Sequence, residues 1–128
     1  MAEPQFLLDS NICIYLLEGL SEQARNQVEA RRPGEVVTSA VAYAEVMRGV
    51  DSADESAVAK VKALFRVVQV LPFGREAAEA YRQMPFRRTS YDRLIAAHAF
   101  SLGLTLITNN VRDFSRVEGL RIANWSDA

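Results

Sequence analysis

The sequence predicts an α/β domain in which helices flank a mainly parallel sheet of four to five short strands. Short apolar runs alternate along the chain with helical patterns, as they do in folds built from strand–helix–strand crossovers. The strand-like runs are continuously apolar, which indicates strands that are buried on both faces. No repeat, linker or low-complexity segment divides the 128 residues, so we expect residues 1–128 to form a single domain.

The first half of the chain is expected to supply two strands and four helices. Ser21 is the expected N-cap of the second helix, which Pro33 and Gly34 end, and Ser52 with Glu55 has capping-box spacing before the fourth helix. The predicted elements are QFLLD (5–9) as a strand, SNICIYLLEG (10–19) and SEQARNQVEARR (21–32) as helices, EVVT (35–38) as a strand, and SAVAYAEVMRGV (39–50) and SADESAVAKVKALF (52–65) as helices.

The second half is expected to add two strands, two helices and a short fifth strand. Pro85 follows the first of these helices, and the second begins after the N-cap Ser90 and ends before Gly103. The predicted elements are RVVQVL (66–71) as a strand, REAAEAYRQM (75–84) and SYDRLIAAHAFSLG (90–103) as helices, LTLIT (104–108) as a strand, and LRIAN (120–124) as the short fifth strand.

Composition favours a cytoplasmic protein with no membrane attachment. Cys13 is the only cysteine, so no disulfide can form within the chain, and its apolar neighbours indicate a buried side chain and not a nucleophile. The start MAEPQ lacks the pattern of a signal peptide, and no run of about 18 apolar residues is present. The formal net charge of −1 argues against binding nucleic acid by charge alone, although bound metal ions reverse the local sign.

Four carboxylates stand out because they follow strands or have apolar neighbours. Asp9 ends the first strand, Glu45 lies within an apolar helix, Asp92 is in the first turn of the late helix, and Asp113 follows the fourth strand. Each has a purely structural interpretation when taken alone. Asp9 can cap a helix, and Asp113 can cap the turn before Phe114. Asp92 can stabilise a helix N-terminus through the helix dipole, and Glu45 can pair with Arg48 three residues away.

Taken together, the four acids indicate a metal site. In a parallel sheet Asp9 and the segment that contains Asp113 emerge at the same edge, and the helices that carry Glu45 and Asp92 adjoin it. Converging carboxylates repel one another unless hard cations neutralise them. An all-oxygen ligand set without His or Cys selects Mg²⁺ or Mn²⁺ over zinc, and such sites hydrolyse phosphodiester bonds.

The chain resembles the PIN-domain superfamily and, within it, the VapC-type toxin ribonucleases of bacterial toxin–antitoxin pairs. The matching segments are LLDSNICIYLL, SAVAYAEVMRGV and YDRLIAAHAFSLGLTLITNNVRDFSRVEGLRIANW. The resemblance implies a PIN-like three-layer fold and an endoribonuclease that uses Mg²⁺, for which Mn²⁺ can substitute. It also implies a homodimer that a small VapB-type antitoxin inhibits.

The resemblance assigns roles to particular residues. Asp9, Glu45 and Asp92 match the first three catalytic acids. Asp9 and Asp92 are then expected to bind metal directly, while Glu45 either binds metal or orients the attacking water. Ser10 and Asn11 match the polar pair that follows the first acid, and we expect them to orient it.

The fourth acid is ambiguous in this sequence. Many relatives have Asp at the position of Asn110, whereas this chain has TNN followed by Asp113. Either Asp113 supplies the fourth catalytic carboxylate and a metal ligand, or Asn110 gives a neutral oxygen. If a short helix begins here, the two side chains face the same side one turn apart. Thr108, at the start of this segment, is expected to support the site.

A few other residues invite a functional interpretation. His98, the only histidine, is expected to be structural and not a general base, because it lies on an apolar helix face two turns from Asp92. Arg87 and Arg88 either contact the RNA backbone or belong to a solvated basic loop, and the sequence leaves both open. Trp125 is expected to anchor the last segment and not to stack on a base.

Other function classes fit the sequence less well. A catalytically weakened PIN-like module that binds RNA or protein is consistent with Asn110 in place of an acid. A haloacid-dehalogenase-type phosphatase would need a second Asp where the chain has Asn11. A phospho-receiver domain would need a late lysine, but Lys60 and Lys62 are the only lysines. Metal-dependent RNA cleavage that chelation abolishes separates the enzyme from the binding module.

Overall fold

A computed structural model describes residues 2–86, 88 and 90–126, and these residues form five strands and seven helices. The strands are β1 (Phe6–Leu8), β2 (Val36–Ser39), β3 (Gln69–Leu71), β4 (Thr105–Ile107) and β5 (Ile122–Ala123). The helices are α1 (Ser10–Glu18), α2 (Glu22–Glu29), α3 (Ala40–Arg48), α4 (Glu55–Val67), α5 (Arg75–Tyr81), α6 (Tyr91–Leu102) and α7 (Val111–Phe114).

The sheet is entirely parallel and has the strand order β3-β2-β1-β4-β5. The predicted α/β class and the short fifth strand are therefore confirmed. Leu8 of β1 is level with Thr38 of β2 and with Ile107 of β4. β2 and β3 lie in turn on one side of β1, and β4 and β5 lie in turn on its other side. The crevice between β1 and β4 is thus the switch point at which open α/β sheets bind ligands.

One layer of helices packs on the face of the sheet that Leu7, Val37 and Leu106 present. These fully buried side chains meet Ile95 and Ala96 of α6. Burying an aliphatic side chain of this size contributes about 1.5–3 kcal/mol. The packing fixes the position of α6 and hence of its first turn, which lies at the carboxyl edge of the sheet.

The opposite face of the sheet packs against α1 and the C-terminal segment. Ile12 and Cys13 of α1 are fully buried there, so the predicted burial of the cysteine is confirmed. Trp125 is 7% exposed, and its ring lies 4.9 Å from that of Phe6. Trp125 anchors the chain end as expected, and the Arg31 guanidinium lies over both rings.

Two predicted boundaries in the region of α4 are wrong. The N-cap is Asp54, whose carboxylate accepts the Ala57 N–H at 3.1 Å, and not Ser52, which lies in the preceding turn. The helix then runs to Val67, so β3 begins only at Gln69. Apolar residues shared by the helix end and the strand conceal this boundary in the sequence. Within the described part of the chain, no helix is long and apolar enough to cross a membrane.

Candidate active site

Asp9 stands where β1 ends and α1 begins. Its backbone N–H donates to the Ile107 carbonyl of β4 at 3.0 Å, which continues the sheet by one residue. Its carboxylate accepts the Ile12 N–H at 3.0 Å and so caps α1. The expected structural role of Asp9 is therefore present. The side chain is also buried, with only 3% of the residue exposed, which capping alone does not require.

Burial is the largest cause of the shift in the pKa of Asp9. It raises the pKa of this carboxyl from 3.8 to about 6, although hydrogen bonds with Thr108 and Ile12 act in the opposite direction. The negative charges of Asp92 and Glu45 raise the pKa further. Asp9 is thus a buried carboxylate on which the charges of two other acids act, an arrangement that favours a bound cation.

Glu45 lies on the second turn of α3, which begins at the end of β2. Burial is the main cause that raises its pKa, the charge of Asp92 adds to the effect, and a hydrogen bond with Ser10 opposes it. Its Oε1 is buried and has no hydrogen-bond partner in the described residues. No ion pair joins Glu45 to Arg48, both of which are described, so the alternative structural role predicted for Glu45 is wrong.

Asp92 occupies the first turn of α6, after the N-cap Ser90. Burial raises the pKa of this half-buried carboxyl, the negative charge of Asp113 raises it further, and the positive charge of Arg93 lowers it. Arg93 was not identified from the sequence, although its place beside Asp92 in the same turn was visible. Its guanidinium lies 4.6 Å from the ring centre of Phe86, which holds the cation near the acids.

Asn110 and Asp113 meet on the short helix α7. Asn110 precedes the helix, and its side-chain Nδ2 donates to Oδ2 of Asp113 at 2.7 Å. The helical turn predicted for this segment is present, and both side chains lie on one side of it. Asp113 is exposed, and its negative charge raises the pKa of Asp92. Either Asn110 or Asp113 remains available as the fourth oxygen ligand.

The residues predicted to support the site have mixed outcomes. Thr108 is fully buried, and its hydroxyl bonds to Asp9 and also accepts the Asn110 N–H at 3.0 Å. Ser10 bonds to Glu45 and not to Asp9, so its predicted partner is wrong. The bond joins the start of α1 to Glu45 on α3. Asn11 is exposed on the same turn of the helix.

The remaining predicted residues lie outside the acid cluster or outside the described residues. Arg87 falls outside the described residues. Arg88 is exposed, and its backbone carbonyl accepts from the Arg93 guanidinium. His98 is buried, its Nδ1 lies 2.8 Å from the Ser39 hydroxyl, and burial lowers its pKa. Its contacts agree with the predicted structural role, because they join α6 to the strand end that starts α3.

The four acids form one electrostatic cluster but not a preformed metal cage. In the described part of the chain, no three His, Cys, Asp or Glu side chains converge closely enough to hold a metal ion between them. The mutual effects on pKa nevertheless join Asp9 to Glu45 and Asp92, and Asp92 to Asp113. Oxygen donors, negative charge and the unpartnered Glu45 Oε1 suit a hard divalent cation in chemical type.

Comparisons with known proteins identify the family of the chain. The model of the PIN-domain family matches residues 6–120, which is most of the chain. The chain belongs to the PIN-domain family. It is 30% identical to the "tRNA(fMet)-specific endonuclease VapC" of Shigella flexneri, over 95% of this chain and 98% of that protein. It is 26% identical to "Ribonuclease VapC2" of Rickettsia felis, over 94% and 97% of the two chains.

Solved structures of toxin–antitoxin complexes contain the same PIN fold. The chain superposes on one from DNA-bound VapBC of Salmonella typhimurium with a TM-score of 0.84 at 30% identity, covering 95% of this chain and 98% of that one. A chain of Rickettsia felis VapBC2, bound to a DNA fragment from its promoter, gives 0.81 at 25% identity, with 94% and 98% covered. The PIN family inferred from the sequence is thereby confirmed.

Proposed function

We propose that this PIN domain is the toxin of a VapBC-type toxin–antitoxin pair, an endoribonuclease that hydrolyses RNA phosphodiester bonds with Mg²⁺, or with Mn²⁺ in its place. The observation that carries the proposal is the cluster of acids at the switch point between β1 and β4, where Asp9 is almost fully buried and pairs with no cation among the described residues. The names of the relatives supply RNA as the substrate class. Cleavage of RNA would inhibit translation or growth.

The donor set indicates how a metal would be held. Asp9 and Asp92 would be its main ligands, with Glu45 and Asp113 within the same cluster. A bound divalent ion supplies activated water and stabilises the charged oxygens of the phosphodiester. Thr108 holds the Asp9 carboxylate by a hydrogen bond, and Ser10 does the same for Glu45. These bonds fix the carboxylate orientations before metal arrives, which is the usual contribution of supporting residues.

The test is cleavage of RNA by the purified protein, free of contaminating nuclease. We expect cleavage with Mg²⁺ or Mn²⁺, none with EDTA, and recovery when the metal is restored. Asp92→Asn should reduce the rate by orders of magnitude, while Glu79→Gln, an exposed acid on α5, should leave it unchanged. Transfer RNA is a natural first substrate because of the Shigella relative's name. Cleavage that continues at full rate in EDTA, or in folded Asp92→Asn, would contradict the proposal.

A binding module with weakened catalysis is the second candidate. Its support is that Asn110 stands where many relatives have an acid, and that the Asn110 amide occupies one oxygen of Asp113. A protein that binds RNA, takes up Mn²⁺ weakly and cleaves nothing would favour this candidate. Cleavage that responds to chelation would exclude it.

We infer that the partner is a small VapB-type antitoxin. The similar solved structures are toxin–antitoxin complexes, and a groove of about 590 Å³ between α1, α3 and α4 leads to Glu45. Apolar residues such as Ile14 and Leu17 share this groove with Lys60 and with acids. An antitoxin segment in the groove could place a basic side chain against the acid cluster, where it would compete with metal.

Co-expression with a small VapB-type antitoxin, encoded next to this chain if a pair exists, tests the partner. We expect co-purification and loss of RNA cleavage, both weakened by Leu17→Arg in the groove. The matched control is Leu20→Arg, because Leu20 is 64% exposed just beyond α1 and does not line the groove. Equal binding by wild type and by folded Leu17→Arg would show that the antitoxin docks elsewhere.

We further propose that the protein is a homodimer of single PIN domains, each spanning residues 1–128, and that it acts in the cytoplasm. Exposed apolar side chains such as Tyr91, 57% exposed, and the groove of about 760 Å³ between α3 and α6 offer a surface for a second copy. The cytoplasm is where RNA and the antitoxin are both present. Light scattering at micromolar concentration should give twice the monomer mass, and a monomer both alone and in complex would refute the dimer.

A further inference from the structure

The residues just after β4 are held by a hydrogen bond that the roles described above do not use. Asn109 lies between Thr108 and Asn110, and its Nδ2 donates to the hydroxyl of Tyr15 at 2.7 Å. Its Oδ1 is buried and has no hydrogen-bond partner in the described residues. The contact with Tyr15 is therefore what fixes the orientation of the Asn109 amide.

Tyr15 is itself firmly placed on α1. Its ring packs against the core on the side of the sheet that α1 covers. Its backbone carbonyl accepts the N–H of Leu20 at 2.9 Å and that of the helix cap Gly19. A tyrosine in this position presents an apolar ring to the core and a polar hydroxyl to the strand end. The hydroxyl is therefore a fixed acceptor for the segment that follows β4.

These contacts link Asp9, α1 and the segment after β4 in a closed ring of interactions. Asp9 caps α1, α1 carries Tyr15, and Tyr15 binds Asn109. The neighbouring Thr108 bonds back to the Asp9 carboxylate and also accepts the N–H of Asn110. The segment 108–110 therefore contacts Asp9 through Thr108 and α1 through Tyr15. Loss of one contact should loosen the segment and with it the side chains that face the acids.

We propose that Tyr15 is a positioning residue that acts through Asn109, holding segment 108–110 against Asp9 so that its oxygens face the metal-binding acids. The metal part of this proposal rests on the proposed function. The positioning part concerns only the protein's own contacts and can be measured without metal or RNA. Tyr15 touches neither substrate nor metal in this role.

The experiment compares Tyr15→Phe with Tyr43→Phe in the full chain. Tyr43 is a matched control because it is a second helical tyrosine whose ring packs against a neighbour, Phe65, with 4.9 Å between the ring centres, and its hydroxyl has no hydrogen bond among the described residues. The Asn109–Tyr15 bond is partly buried, and removing the partner of such a donor costs enough to change a local equilibrium by roughly tenfold. We therefore expect the Asn110 amide to exchange with solvent on the order of tenfold faster in Tyr15→Phe, while the Ala96 amide in α6 is unchanged.

Metal binding gives the second measurement, made by calorimetric titration with Mn²⁺ in the absence of RNA. Tyr15→Phe should weaken the affinity by roughly fivefold to tenfold, with Tyr43→Phe equal to wild type. Asn109→Ala should reproduce both effects, and the double variant should be no worse than either single one, because the two residues share one bond. If Tyr15→Phe does not fold, Asn109→Ala carries the same test.

The outcomes separate the two proposals. Unchanged amide exchange in both variants, or additive effects in the double variant, would overturn the positioning role whatever the enzyme does. Faster exchange with unchanged Mn²⁺ affinity would overturn the link to the metal site. If wild type neither binds Mn²⁺ nor cleaves RNA, the proposed function fails, while the exchange data still decide whether Tyr15 holds the segment.

Discussion

Replacing Asp9 by asparagine should stabilise the metal-free protein while it abolishes metal-dependent activity. Asparagine caps a helix as well as aspartate does, so the bond to the Ile12 N–H is retained. The substitution removes a buried charge. Because one pKa unit is worth about 1.4 kcal/mol, the rise from 3.8 to about 6 corresponds to a cost of about 3 kcal/mol for the ionised carboxylate.

The sign of the pH dependence follows from the raised pKa. Folded Asp9 keeps its proton to a higher pH than the unfolded chain, so between about pH 4 and pH 6 the folded state binds more protons. Its contribution to the free energy of unfolding therefore falls as pH rises through this range and is constant above it. The free energy of unfolding of Asp9→Asn should then be higher than that of wild type by about 3 kcal/mol at pH 8. At pH 5 the difference should be about half of that.

Urea denaturation with EDTA at the two pH values measures this difference. The control is Asp54→Asn, which replaces another capping aspartate, one that is exposed. It should give nearly the same stability as wild type at both pH values. Added Mg²⁺ should stabilise wild type at pH 8, by about 2.7 kcal/mol at a hundred times the dissociation constant, and Asp9→Asn much less. If Asp9→Asn is less stable than wild type at pH 8 without metal, the buried charge is not the dominant effect and the reasoning fails.

Three further predictions concern the rest of the site and the core. Asp113→Asn should weaken Mn²⁺ binding, measured by calorimetric titration, and RNA cleavage, measured as rate against metal concentration. If both curves are the same as for wild type, Asp113 has only a structural role in its turn. Asn110→Asp should tighten Mn²⁺ binding in the same titration, because it adds a carboxylate beside Asp113; weaker binding would mean that repulsion dominates. Ile95→Ala should lower the free energy of unfolding by about 2–5 kcal/mol in urea denaturation, because Ile95 is fully buried against the sheet. A decrease below about 1 kcal/mol would show that the surrounding side chains move in and fill the cavity.

Much of the fold was predictable because local patterns and tertiary structure agree. The continuously apolar runs at β1, β2 and β4 are the central strands of a sheet buried on both faces, as this pattern indicates. Ser21 and Ser90 cap the helices that they were expected to cap, and Gly103 ends α6 at a φ of 68°. The boundary between α4 and β3 was predicted wrongly, because both elements are apolar there and no local signal in the sequence separates helix from strand.

The candidate site was predictable in its acids but not in the contacts that orient them. Asp9, Glu45 and Asp92 were recognisable because a carboxylate in an apolar segment is unusual. That Ser10 binds Glu45, and that Asn109 binds Tyr15, depends on which way a side chain leaves the turn that carries it. Neither pair has a fixed spacing in the chain, because each joins elements that only the folded sheet brings together.

Asp9 shows why the acid itself, and not only its place in the fold, points to function. As a cap, Asn would serve equally, and the exposed Asp54 shows what a cap needs: one oxygen at 3.1 Å from a backbone N–H. Asp9 supplies the same kind of bond, yet its carboxylate is buried beside two other acids, which raise its pKa further. Without a cation the burial of this charge outweighs the hydrogen bonds from Thr108 and Ile12, so capping alone does not account for Asp in place of Asn. Binding of a divalent cation reverses the balance, because the same charge then becomes a ligand. The difference between Asp9 and Asp54 is therefore the physical reason why we propose metal binding at one capping aspartate and not at the other.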